Sequence, residues 1–141
     1  VKRALIGVLL LLLAGCGVVG CGVQPTEPIT GTATTGAMLY LIQNGSLIAV
    51  LRPTRYQTRT GETLALLEDN PNAAERDLGI TTEVPAGSGP FAVERTTITL
   101  KVDPYSLSAL AAAQIVCTAA IPGPVTLVGG GQVRGSVTCP I

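Results

Sequence analysis

The sequence predicts an α+β fold: a single compact domain with a mixed or antiparallel sheet of five to six strands and two helices. Three observations carry this reading. Asn44-Gly45 splits two apolar runs, the pattern of a two-residue hairpin whose turn positions both need positive φ. Thr97 to Val102 alternates Ile98, Leu100 and Val102 with Thr97, Thr99 and Lys101, the period of a strand with one wet face. Leu107, Leu110, Ala111 and Ile115 recur at helical spacing in an alanine-rich segment running to Ala119.

The chain ahead of this domain reads as an export leader. Lys2-Arg3 precede an apolar run from Ala4 to Ala14, and Cys16 and Cys21 follow, each after a glycine. A positive start, a short apolar stretch and small residues before a cleavage point make a secretory signal. As a membrane span, Ala4 to Gly20 would reach only about 25 Å at roughly 1.5 Å per residue, short of the ~30 Å hydrocarbon core. Bacterial lipoprotein signal peptidase accepts an aliphatic residue, a small one, then Gly, Ala or Ser before the cysteine that is acylated. Leu13-Ala14-Gly15-Cys16 matches that pattern better; Val18-Val19-Gly20-Cys21 ends the longer apolar run. Cleavage before Cys21 leaves Cys117 and Cys139 as an even pair, whereas cleavage before Cys16 strands a thiol in an oxidising place. The expectation is therefore a signal peptide over 1–20, acylation at Cys21 with Cys16 as the alternative, a tether over 21–36 and a folded domain over 37–141. The address that follows is the extracytoplasmic face of the cell membrane, held by a covalent lipid anchor.

Gly22 to Gly36 carries Pro25, Pro28 and several threonines without either period. Such a stretch spans on the order of 20 Å and holds a domain clear of lipid headgroups. The hairpin from Ala37 to Leu51 comes next. One of its faces collects Leu39, Leu41, Ile48 and Val50, and the other Met38, Tyr40, Ile42, Leu47 and Leu51, so both are expected to be covered.

Thr60-Gly61-Glu62 leads into Leu64, Leu66 and Leu67, a short helix stopped before Pro71; Ala73 to Leu78 adds a further turn. Gly79 to Pro90 reads as loop, and Phe91 to Val93 as a strand. After the strand at Thr97–Val102, Asp103-Pro104 breaks the chain and Ser106 is expected to cap the second helix, which ends at Pro122-Gly123. Gln114 is the one long polar side chain on that helix, so nearly all of its surface is expected to be buried. Val125 to Val128 and Val133 to Cys139 form a hairpin about Gly129-Gly130-Gly131, with Val133, Val137 and Cys139 on one face. An inward cysteine on the last strand and one near the end of a buried helix predict a structural Cys117–Cys139 disulfide. The pair lacks the Cys-x-x-Cys spacing of a redox site.

Composition excludes much chemistry. The chain has no histidine, which removes Ser-His-Asp and Cys-His catalysis and the commonest zinc sites, and no cofactor or metal is expected. Without Lys2 and Arg3 the bases fall below the nine acids, and that balance gives no electrostatic case for nucleic acid. Glu62, Glu68, Asp69, Glu75 and Asp77 are the carboxylates from which a glycosidase pair would have to come. Arg52, Arg55, Tyr56 and Arg59 form one basic cluster, suited to anionic lipid or wall polymer. A carboxylate-dependent cell-wall or carbohydrate-processing enzyme is thus the alternative to a non-catalytic module, although the chain has one Phe and no Trp to stack on a sugar.

Three blocks, Leu39 to Pro53, Leu66 to Pro85, and Ala109 to Ala119 with its core Ala113-Gln114-Ile115-Val116-Cys117-Thr118, resemble small actinobacterial lipoproteins that carry a GerMN-like (sporulation and spore germination) domain. Cys21-Gly22-Val23-Gln24-Pro25-Thr26 is similar too, which favours Cys21. The resemblance implies a compact α+β domain that mediates interactions and is not known as a catalyst; the expected partners are the membrane, through the lipid anchor, and another envelope protein or a cell-wall polymer. The resemblance supplies no ligand residues.

Overall fold

Asn44 and Gly45 both take left-handed backbone, with φ of 52° and 74°. The chain therefore reverses in two residues and lays β1 (Gly36–Gln43) antiparallel on β2 (Ser46–Pro53). The structure is a computed structural model and describes residues 35–141. The leader, both acylation candidates Cys16 and Cys21, and the tether up to residue 34 lie outside the described residues.

A short α1 (Thr60–Ala65) and a five-residue α2 (Ala73–Asp77) follow, and Asn72 caps α2 by accepting from the Glu75 N–H. β3 (Ile80–Thr81) then pairs with the far edge of β1 at Ile42 and Gln43, which completes a sheet of order β2-β1-β3. A second sheet has the order β4-β5-β6-β7: β4 (Ala92–Glu94), β5 (Thr97–Thr99), β6 (Val125–Gly129) and β7 (Gln132–Val137). Its β5 and β6 are parallel, joined through a 3₁₀ turn (Pro104–Ser106) and α3 (Ala109–Ala119); its other pairs are antiparallel. One core joins all of this, with Leu39 and Leu41 from the first sheet, Ile98 and Leu127 from the second, and Leu64 and Ile115 from the helices, all fully buried.

The α+β class is thus observed, but the described residues form seven strands in two sheets and three helices, where one sheet of five to six strands and two helices were expected. The reason lies at Tyr40. Its N–H and carbonyl point away from β2, and α3 takes both: the Tyr40 N–H donates to Thr118 Oγ1 at 2.9 Å, and Gln114 Nε2 donates to the Tyr40 carbonyl at 3.0 Å. Helix side chains occupy the β1 edge beyond Ile42, so β3 pairs there only at Ile42 and Gln43 and the ladder goes no further. The same contacts bury α3 from Ala111 to Ala119, as its composition requires.

Other boundaries shift for local reasons. α3 is capped by Ser108, not Ser106, because Asp103 accepts from the Tyr105 N–H and turns Pro104–Ser106 into 3₁₀ structure first. β5 ends at Thr99: the Lys101 N–H bonds the Ser88 carbonyl at 2.7 Å, which draws the chain off the ladder. Gly129 lies under that departing segment, where a Cβ would collide with the Leu100 and Val102 carbonyls. In β7, Val125 pairs with Val137 but Leu127 with Arg134, so Gly135 and Ser136 together face Thr126, and Ser136 has φ 58°. This bulge turns Val133 to solvent, 58 % exposed, while Val137 and Cys139 pack on the core, so the three do not share a face. The outer face of the hairpin is covered only in part: Ile42 is buried there and Tyr40 and Leu47 are half-buried. Met38 and Leu51 on its outer face are 49 % and 53 % exposed, because α3 reaches the β1 edge and goes no further across that face.

Candidate functional site

Of the charged candidates, Arg52 and Glu75 turn inward onto each other, while Arg55, Arg59, Glu62, Asp69 and Asp77 are exposed. Arg52 sits on the core side of β2 and meets Glu75 of α2 in a fork: Nε to Oε1 at 2.9 Å and Nη2 to Oε2 at 2.8 Å. Its Nη1 donates to the Leu66 carbonyl at 2.8 Å, and Glu75 Oε2 also accepts from the Asn72 N–H at 2.8 Å. The two side chains are 13 % and 6 % exposed. The basic cluster therefore loses Arg52 and the carboxylate set loses Glu75, each to the other, while Tyr56 stands exposed on the surface.

The hydrogen bond from Arg52 holds the Glu75 carboxyl below its ordinary value of 4.5, against the opposing effect of burial and with help from the Asn72 N–H and the Arg52 charge. The unfolded chain takes up this proton first as the pH falls. The pair's contribution is present in full above about pH 4.5 and is lost as the pH drops through the lower folded value. Urea midpoints measured from pH 7 to pH 3 are expected to fall on the acid side, and Glu75→Gln to flatten that limb.

Glu68 is similarly engaged. Its carboxylate accepts from the Gly87 N–H at 2.7 Å and the Gly89 N–H at 2.5 Å, clamping the loop before Phe91. Glu62 accepts from the Arg59 N–H at 3.0 Å at the start of α1. Asp69 and Asp77 are exposed. Among the described residues no three His, Cys, Asp or Glu side chains gather as a metal would need. The helix contributes a polar junction that sequence reading treated only as burial. Gln114 Oε1 accepts from the Glu83 N–H at 2.8 Å while its Nε2 holds Tyr40, so α3 ties β1 to the loop after β3. The signal was there: Gln114 and Thr118 stand four apart, on one face of an otherwise apolar helix.

Among the described residues, two of the surface grooves bear on function. The larger, about 580 Å³, brings Arg59 and Glu62 beside Gly61 and a wall of Pro90, Phe91 and Val93. The second, about 400 Å³, lies between the outer face of β1 and the end of α3. Met38, Tyr40, Ile121 and Ile141 line it together with Cys117 and Cys139, whose disulfide joins Cα atoms 4.9 Å apart. Among the described residues no charged side chain lines this groove. It runs onto the exposed hairpin face, where Met38 pairs with Leu51 and Tyr40 with Ala49. Such a surface offers apolar contact and no acid or base, and sequence reading missed it because both hairpin faces looked equally apolar.

No family model matches the chain, and neither a curated protein nor a solved structure matches it.

Proposed function

We propose that this chain is a lipid-anchored, extracytoplasmic binding or assembly module of the bacterial cell envelope, without catalysis, that meets another envelope protein or a wall polymer through the outer hairpin face and its groove. The observation that carries the reading is the division of the surface: Glu62, Glu68 and Glu75 bond the protein's own backbone or Arg52, while an uncharged apolar face around Met38 and Leu51 is left open. The disulfide supports an oxidising compartment. The leader supports acylation at Cys21, or at Cys16, and attachment to the membrane. The GerMN-like resemblance adds support through its blocks, which the polar contacts join: Arg52 of the first bonds Glu75 of the second, and Gln114 of the third bonds Tyr40 of the first and Glu83 of the second.

Acylation is tested by labelling cells with a fatty acid and fractionating them. Cys21→Ala is expected to abolish the label and free the protein from the membrane or leave it unprocessed, and Cys16→Ala to change neither. The reverse pattern would assign Cys16; a cytosolic, unlabelled wild type would overturn the anchored reading. Peptidoglycan or glycan hydrolysis lost in Glu62→Gln or Glu68→Gln would replace the module with the carboxylate-dependent enzyme.

A further inference from the structure

Among the described residues, one sheet edge is long and free of bulges. In the hairpin the Thr54 N–H donates to the Thr35 carbonyl, and the Tyr40 backbone groups face α3. These two facts set the phase of the ladder: Arg52, Val50 and Ile48 bond β1, while Leu47, Ala49 and Leu51 aim their N–H and carbonyl groups outward. β2 ends the order β2-β1-β3, and among the described residues those outward groups have no partner. The other edges differ. β4 is three residues long and carries Glu94, β3 is two residues long, and β7 is bent by its bulge and carries Arg134. Short length, charge and bulges are the devices that keep edges from pairing. β2 has eight residues, Ser46 to Pro53, no bulge, and one charge, Arg52, which Glu75 neutralises.

We propose that β2 is a dimerisation edge, pairing antiparallel with β2 of a second copy about a two-fold axis at Ala49. That register fits the chemistry of the strand. Leu47 falls opposite Leu51 of the copy, Ala49 opposite itself and Arg52 opposite Ser46, so like charges do not meet. Pro53, which has no N–H to give, falls opposite the Gly45 turn, beyond the paired stretch. Three pairs of outward groups then exchange roughly six N–H···O bonds, two per pair. Among the described residues each copy has a single edge of this kind, so the assembly closes at two rather than growing into a fibre. This goes beyond the binding reading: the apolar outer faces of both copies lie on the same side of the joined sheet and stay open.

The test uses two differently tagged full-length copies expressed together in cells. With Ala49→Cys in both, oxidation is expected to give a disulfide-linked product bearing both tags, since directly paired Cα atoms lie within about 5.5 Å. Leu47→Cys in one copy is expected to link to Leu51→Cys in the other but not to itself, and Leu78→Cys, more exposed than either, to give no product. Ala49→Pro removes an outward N–H that β1 does not use, and is expected to cut the Leu47–Leu51 product at least about tenfold while the protein stays folded by circular dichroism. Leu51→Lys provides a second disruption that leaves the backbone intact. Absence of the two-tag product, equal linking at Leu78, or a product joining one copy to a different protein would overturn the proposal.

Discussion

Arg52→Ala is expected to lose about 3–5 kcal/mol of stability, the range for removing one member of a buried ion pair. The loss comes from what stays behind more than from the attraction removed. Glu75 would keep a carboxylate 6 % exposed with the Asn72 N–H as its remaining hydrogen bond, and the Leu66 carbonyl would lose its donor. Arg52→Lys is expected to recover only part, because an ammonium offers no planar fork to match the two carboxylate oxygens and the carbonyl together. An apolar pair, Arg52→Met with Glu75→Leu, is expected to come closer to wild type than Arg52→Ala does, since no unpaired charge remains in the interior. Urea unfolding of the single and double variants at pH 7 measures this. A loss below about 1 kcal/mol for Arg52→Ala would mean the pair behaves as a solvated surface bridge.

Cys139→Ser is expected to destabilise the protein by about 3 kcal/mol, the loop-closure entropy for a link across 22 residues. The bond joins the end of α3 to the segment after β7, and the closed loop contains β6 and β7. Opening it leaves the last strand held by the β6 ladder and by Val137 on the core. Reduction of the wild type is expected to lower the unfolding midpoint by the same amount as the substitution. Equal midpoints for the oxidised and reduced protein would show that the bond constrains a segment already ordered without it.

The two predictions differ in how far the sequence foretold them. The Cys117–Cys139 bond followed from strand alternation and from the even pair left after Cys21, and the structure forms it. The Arg52–Glu75 bond does not follow: sequence groups Arg52 with Arg55, Tyr56 and Arg59 as a basic cluster, and Glu75 with Glu62, Glu68, Asp69 and Asp77 as the candidate carboxylates. Neighbours in sequence defined those groups. Arg52 instead belongs to the core side of β2 and Glu75 to the first turn of α2, 23 positions apart, and only the packing of α2 beneath the sheet brings them together.

Sequence alone determined what rests on one or two residues and their immediate neighbours. The Asn44-Gly45 reversal, the alternating strand at Thr97, the alanine-rich helix, the glycine turn before β7 and the α+β class belong here, because turn dihedrals and apolar periods act over a few residues. Tertiary structure decided which surfaces meet. The division into two sheets follows from Gln114 and Thr118 taking the Tyr40 edge; the exposed Val133 follows from a bulge set by pairing with β6; and the open face at Met38 and Leu51 follows from how far α3 reaches. Each of these depends on the register and docking of segments distant in the chain, where identical apolar patterns are compatible with burial or with exposure, and only the assembled backbone chooses between them.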